Sequence, residues 1–263
     1  MTVDAILRPV DDHGTANLSS IAKAARVLRA LALAGDGDAG VTTLASLACL
    51  PKSTAHRVLS ELVCEGLVSH TEQQRYRLGR GWFELQSALS RSEWVRLADQ
   101  ARRPLAALFE RTGATVHFGV LEGDMVLYLE KLTAKGGTAV PTRVGSHLPA
   151  TCTALGKALL ANADPASVHS ILSKPLPVTS RRSVTQPHLL QRQLAEVRTT
   201  GTAYDAEESQ PGVFCVAAPV FQGRQVVAAV SVTRVNALGL APGDPAEVRQ
   251  AARKIAEWLV MIP

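Results

Sequence analysis

The most constraining stretch of this chain runs from Pro51 to Leu78. Ala55, Val58, Leu59, Leu62 and Val63 recur at the i, i+3, i+4, i+7, i+8 spacing of one helical face, and Gly66 ends the run. Two short alternating segments follow at once, residues 67–70 and 75–78, around the polar turn Thr71-Glu72-Gln73-Gln74, which predicts a β-hairpin. Upstream, Ile21, Ala25, Leu28 and Ala32 alternate by threes and fours with Lys23, Arg26 and Arg29 between them, the pattern of an amphipathic helix over residues 19–34. Residues 35–40 are too rich in glycine and aspartate to continue a regular element. A short second helix then runs through Leu44, Leu47 and Ala48, capped by Thr42 or Thr43 and closed by Pro51, with Ser53 as the cap of the third helix. Three short helices and a hairpin wing describe a winged helix-turn-helix.

The polar face of the third helix carries Lys52, Ser53, Thr54, His56, Arg57 and Ser60, hydroxylated or basic near the N-terminal end that enters a major groove in helix-turn-helix proteins. On the hairpin, Arg75 and Arg77 alternate with Tyr76 and Leu78, so one face can pack on the helices while the other offers guanidinium groups to phosphate. A formal charge of +5 suits a polyanionic partner without requiring one. The competing reading makes the same module a protein-docking element whose basic residues are merely solvated.

Downstream, a connecting helix through Trp82, Leu85, Leu89 and Trp94 leads to a further helix over residues 95–112. Strands are expected at 115–121, 125–132, 139–144, 213–220 and 226–234, and helices at 153–161, 165–172, 187–200 and 245–261. The turns Glu122-Gly123-Asp124 and Gln222-Gly223-Arg224 join neighbouring strands as hairpins, so much of the sheet is antiparallel and the class is α+β.

Several functions are disfavoured. The four cysteines are far apart with no CxxC pair, which points to neither a disulfide framework nor zinc and suits a reducing cytoplasm. No apolar run approaches the roughly 20 residues that span a bilayer, and the N-terminus does not resemble a signal peptide. His147 with Cys152, or His117 with Asp124, could be gathered into a catalytic centre, but no HExxH, GxSxG, Walker or dinucleotide fingerprint accompanies them. His117, alone on a strand, reads as a packed core residue, and Lys157 as a helix-surface or packing lysine. An enzyme or redox sensor carrying a docking module therefore stands as the alternative, and no cofactor or metal is expected.

The segment Leu50-Pro51-Lys52-Ser53-Thr54-Ala55-His56-Arg57-Val58-Leu59, followed by Arg75-Tyr76-Arg77-Leu78-Gly79, resembles the winged-helix region of the IclR family of transcriptional regulators. Thr153-Ala154-Leu155-Gly156-Lys157-Ala158-Leu159-Leu160-Ala161 and residues 212–221, from Gly212-Val213-Phe214-Cys215 to Phe221, resemble that family's two effector-domain signatures, in order. The chain departs from the family pattern at Ala150-Thr151 and at Thr202. The resemblance implies a disordered tail over residues 1–17, a winged helix-turn-helix over 18–79, a linker helix over 80–94 and a GAF-like α/β effector-binding domain over 95–263. It also implies a homodimer or tetramer reading double-stranded DNA at a pseudo-palindromic operator. Lys52, Ser53, Thr54, His56, Arg57 and Arg75 are the expected DNA contacts. Ser231 and Thr233, two apart on one strand, and likewise Val213 and Cys215, place a few small polar groups on an apolar wall. The family adds backbone N–H groups of Ala154 and Leu155 and the side chain of Asp205 at the pocket edge. A helix N-terminus favours an anion, so a small organic acid is the expected effector.

Overall fold

A computed structural model describes residues 18–34, 37–89, 92–133, 140, 142–235 and 239–261, and the expected tail over 1–17 lies outside them. The chain forms two compact units, residues 1–92 and 93–263.

In the first unit, α1 (Ser20–Leu33) begins at Ser19, whose hydroxyl accepts from the Ala22 N–H. β1 (Asp38–Ala39), α2 (Val41–Leu47) and α3 (Lys52–Cys64) follow, then β2 (Val68–His70) and β3 (Tyr76–Leu78), and finally α4 (Gly81–Leu89). Val27, Leu31, Leu44, Val58, Leu59, Leu62, Val68 and Tyr76 form one core, so the helical face read from the sequence is the buried one. Gly66, at φ +71°, turns the chain out of α3 into the wing.

Three local expectations are corrected. β1 falls within a stretch expected to be irregular, because Asp38 and Ala39 pair with Arg77 and Tyr76 to complete a three-stranded sheet ordered β1-β3-β2. Gly40 and Pro51 occupy the N-cap positions of α2 and α3, with no side-chain cap, so Thr42, Thr43 and Ser53 lie inside the helices. Tyr76 is buried while Leu78 is exposed, so only one of the two expected packing residues of β3 packs.

The second unit opens with α5 (Glu93–Thr112), which takes in Trp94, so the linker reading separates into α4 and the start of α5. β4 (Thr115–Glu122), β5 (Met125–Leu132), β6 (His147–Pro149), a 3-10 turn (Ala150–Cys152), α6 (Ala154–Leu160), α7 (Pro165–Leu172), α8 (Pro187–Thr200), β7 (Ala203–Ala206), β8 (Val213–Gln222), β9 (Gln225–Val235) and α9 (Asp244–Met261) complete it. The six strands are all antiparallel in the order β6-β5-β4-β9-β8-β7. Most of the expected 139–144 strand lies outside the described residues or is not extended into a ladder, and β6 and β7 are the strands that the sequence reading missed.

Each sheet face has its own character. Val116, Phe118, Val120, Val216, Ala218, Val220, Ala228, Val230 and Val232 pack with α5 and α9 in an apolar layer. The opposite face receives α6, all seven of whose residues are buried, together with α8. Gly156 makes that packing possible, because a Cβ there would lie 2.1 Å from the Ala150 carbonyl oxygen.

Candidate functional site

The two units carry separate candidate sites. On the first, Lys52, Ser53, His56 and Arg57 are exposed along one end and face of α3, while Thr54 is half-buried beside Lys23, Ser46, Cys49 and Leu50. The structure therefore gathers the expected α3 set on one surface. Arg75 differs from the others: its Nε lies 2.5 Å from Asp38 Oδ1 and its Nη2 3.0 Å from the Asp38 carbonyl oxygen. Its charge is already balanced within the wing. Arg77, which pairs across the ladder with Ser69 and donates to its hydroxyl at 3.3 Å, is the exposed guanidinium of β3.

On the second unit the register of the sheet assembles the site. In one row beneath α6, Thr115 of β4 faces Thr233 of β9, which faces Cys215 of β8, which faces Asp205 of β7. In the next row Lys131, His117, Ser231, Ala217 and Ala203 stand across five strands. Directly paired residues project from the same face, so these polar groups form one floor. Thr115, His117, Asp205, Ser231 and Thr233 are all buried. Val213, one row further out than Cys215, is also buried, and Ala154 and Leu155 form the first turn of the overlying α6. Ala154 and Leu155 thus lie on the expected helix and Val213, Cys215, Ser231 and Thr233 on the expected strands, whereas Asp205, expected at a pocket edge, is buried on β7, a strand the sequence did not predict.

Hydrogen bonds tie the floor together. Asp205 Oδ1 accepts from the N–H groups of Glu208 and Ser209 at 2.7 and 3.2 Å, and its Oδ2 accepts from the Ser209 hydroxyl at 2.5 Å. Burial nevertheless pushes its carboxyl up to about 6, against the downward pull of those bonds and of Lys157. Burial also raises the Cys215 thiol and the Tyr128 phenol, so both stay protonated at neutral pH. His117 moves the other way, held at about 3 by burial and by the Lys131 charge, and is neutral.

The cations around the floor are engaged. Lys157 Nζ pairs with Glu208 Oε1 at 2.6 Å and donates to Gln193 Oε1 at 3.1 Å, which makes it an interior lysine and not a helix-surface one. Lys131 Nζ donates to the carbonyls of Val140 and Thr142 at 2.6 Å each. Glu208 Oε2 is the one buried side-chain oxygen or nitrogen without a partner among the described residues. The sequence reading missed the place of His117 and Thr115 in the floor and the Lys157–Glu208 pair, although it expected His117 to be packed in the core, as it is. A period-2 signal for the first two, Thr115 and His117 alternating with Val116 and Phe118, was present.

A three-helix, winged unit followed by a sheet domain with a buried polar floor defines a ligand-responsive DNA-binding transcriptional regulator. Residues 20–72 match the IclR helix-turn-helix domain and residues 88–258 the bacterial transcriptional regulator IclR C-terminal domain. The chain belongs to the IclR family. It is 31% identical over 249 residues to the HTH-type transcriptional regulator KdgR of Escherichia coli K12, covering 94% of this chain and 89% of that one. It is 33% identical over 210 residues to XynR of the same organism, covering 74% and 78%. A solved IclR homologue from Microbacterium hydrocarbonoxydans, complexed with 4-hydroxybenzoate, superposes with a TM-score of 0.78 at 30% identity, covering 92% of this chain and all of that one. These relatives are regulators and not enzymes, which removes the catalytic alternative. Among the described residues no cluster of three or more His, Cys, Asp or Glu could hold a metal ion, and no helix is long and apolar enough to cross a membrane.

Proposed function

We propose that this regulator reads a pseudo-palindromic operator as a dimer or higher assembly and releases or tightens its grip when a small organic acid occupies the floor beneath α6. Residues 18–79 are the DNA-binding part and residues 95–263 the effector-binding part. On the DNA side, Lys52, Ser53, Thr54, His56 and Arg57 at the start of α3 enter the major groove, and the wing meets the phosphate backbone through the exposed Arg77, while Arg75, the contact expected from the sequence, is held by Asp38.

The observation that carries the effector reading is the pair of buried polar rows under α6. Polar groups taken out of water need partners, and a floor of hydroxyl and thiol donors beside orphan helix donors is suited to an anion. In the first turn of α6 the Thr153 hydroxyl takes the Gly156 N–H at 3.1 Å, leaving those of Ala154 and Leu155 as the orphan donors. Lys131 and Lys157 are occupied by carbonyl and carboxylate groups, so the acid is held by backbone and hydroxyl donors of Ala154, Leu155, Ser231 and Thr233, with Cys215 and Val213 as wall and Asp205 at the edge. The likeness to a homologue complexed with 4-hydroxybenzoate supports an acid ligand.

Assembly is supported by α4. None of its nine residues is buried, and Phe83, Leu85 and Leu89 are 75%, 46% and 55% exposed, with Leu85 and Leu89 on one face and Phe83 on another, apolar surface suited to self-association. A thermal-shift screen of carboxylic metabolites tests the effector reading, since a ligand at a hundred times its Kd stabilises by about 2.7 kcal/mol. Ser231→Ala with Cys215→Leu should abolish the shift. An equal shift in wild type and double variant would place the ligand elsewhere.

A further inference from the structure

His117 sits in the floor without belonging to the expected effector set. It faces Ser231 directly across the ladder, its Nδ1 lies 3.2 Å from Thr233 Oγ1, and its Nε2 lies 2.7 Å from Thr142 Oγ1. Thr233 in turn donates its hydroxyl proton to Cys215 Sγ at 3.2 Å. A hydroxyl has one proton to give. With that proton directed at Cys215, the Thr233 oxygen can only accept from the imidazole, which places the single proton of the neutral ring on Nδ1. Nε2 then carries the lone pair, and the Thr142 hydroxyl donates to it.

The surroundings hold this assignment. Burial, and after it the positive charge of Lys131, the opposite neighbour of His117 on β5, keep the ring neutral, and the Tyr128 ring meets the imidazole edge-on at 5.3 Å. The result is a chain of donors with one direction: Thr142 to His117, His117 to Thr233, Thr233 toward Cys215 and the Asp205 end of the row. We propose that His117 is a positioning residue of the effector site: as the Nδ1–H tautomer it fixes the Thr233 hydroxyl as a donor, so that a ligand which replaces Cys215 Sγ as the acceptor of that proton must offer an acceptor atom there. A carboxylate meets that demand with both oxygens, whereas the matching primary amide brings an NH₂ group that finds a donor opposing it. The ligand class rests on the organic-acid reading above; the tautomer does not.

The test has two arms on the full-length protein. Long-range ¹H–¹⁵N spectra of histidine-labelled protein between pH 5 and 8 should show His117 as a non-titrating neutral ring protonated at Nδ1. A ring protonated at Nε2, or one that titrates in this range, overturns the proposal. In the second arm, benzoate and pyruvate are compared with benzamide and pyruvamide by thermal shift. Wild type should prefer the acids; His117→Leu should lose that preference by at least about tenfold, the worth of one charge-assisted hydrogen bond, and His117→Asn, which retains an N–H near the Nδ1 position, should keep it. Acids favoured equally in wild type and His117→Leu would overturn the positioning role while leaving the effector reading intact. No acid bound by wild type, with the ring found protonated at Nδ1, would remove the organic-acid reading and keep the donor chain.

Discussion

Lys157 Nζ and Glu208 Oε1 lie 2.6 Å apart in a pair whose side chains are only 2% and 8% exposed. Each charge is tolerated in the interior because the other is present. Lys157→Met should therefore cost about 3–5 kcal/mol by leaving a buried carboxylate uncompensated, and the double variant with Glu208→Leu should recover much of the loss. Urea denaturation of the three proteins checks this. A single variant as stable as wild type would show that the pair contributes nothing.

On the DNA surface, Arg57→Ala should lose roughly 1–3 kcal/mol at its cognate base pair and relax discrimination there, if Arg57 meets guanine. Quantitative gel shifts against single-base operator variants measure the effect. An unchanged binding curve would take Arg57 out of the recognition surface.

The wing makes a separable prediction because Arg75 is bound to Asp38 whereas Arg77 is not. Arg77→Ala should weaken cognate and nonspecific duplexes alike and lower the slope of log K against log salt by about 0.9, the signature of one lost phosphate contact. Asp38→Asn should act in the opposite direction, since it releases the Arg75 guanidinium to the backbone. A steeper salt slope in Arg77→Ala than in wild type would contradict the assignment.

The floor predicts two opposed pH effects. Asp205 has a folded pKa near 6, above the ordinary carboxyl value, so its burial opposes folding fully above pH 6 and not at all below about pH 4. The stability of Asp205→Asn relative to wild type should thus rise with pH across that window, by up to about 3 kcal/mol. His117, held near 3, favours folding while the unfolded imidazole is neutral, and that contribution is lost as pH falls below about 6.5. Relative to wild type, His117→Gln should gain stability on acidification. Denaturation at pH 4 to 7.5 decides, and parallel profiles for all three would sink both assignments.

Gly156→Ala should prevent α6 from seating, because the new methyl would overlap the Ala150 backbone at 2.1 to 2.5 Å and that backbone is itself buried. Loss of cooperative thermal unfolding of residues 93–263, with the first unit still folded by circular dichroism, is the expected outcome. Wild-type stability would mean that the 3-10 turn can move.

The local pattern of the sequence determined the helices, the hairpins and the polar face of α3. The 3.6-residue period of Ala55, Val58, Leu59 and Leu62 is a property of neighbouring residues, and the turns at Gly66, Gly123 and Gly223 are set by chain chemistry alone. The two-residue period likewise set Ser231 with Thr233, and Val213 with Cys215, on common strand faces, and the family resemblance added Asp205 to the expected site. Tertiary structure decided what depends on register between distant strands. β1 exists only because Asp38 and Ala39 find β3, and β7 only because residues 203–206 find β8. Nothing within two or four residues signals such an edge strand, whose ladder hydrogen bonds are supplied by another strand, 8 to 14 residues on for β7 and about 40 for β1. The same reason hid His117: its neighbours in sequence are apolar core residues, and its role appears once β4 and β9 align it with Ser231 and bring Thr233, 116 positions away, within hydrogen-bonding distance.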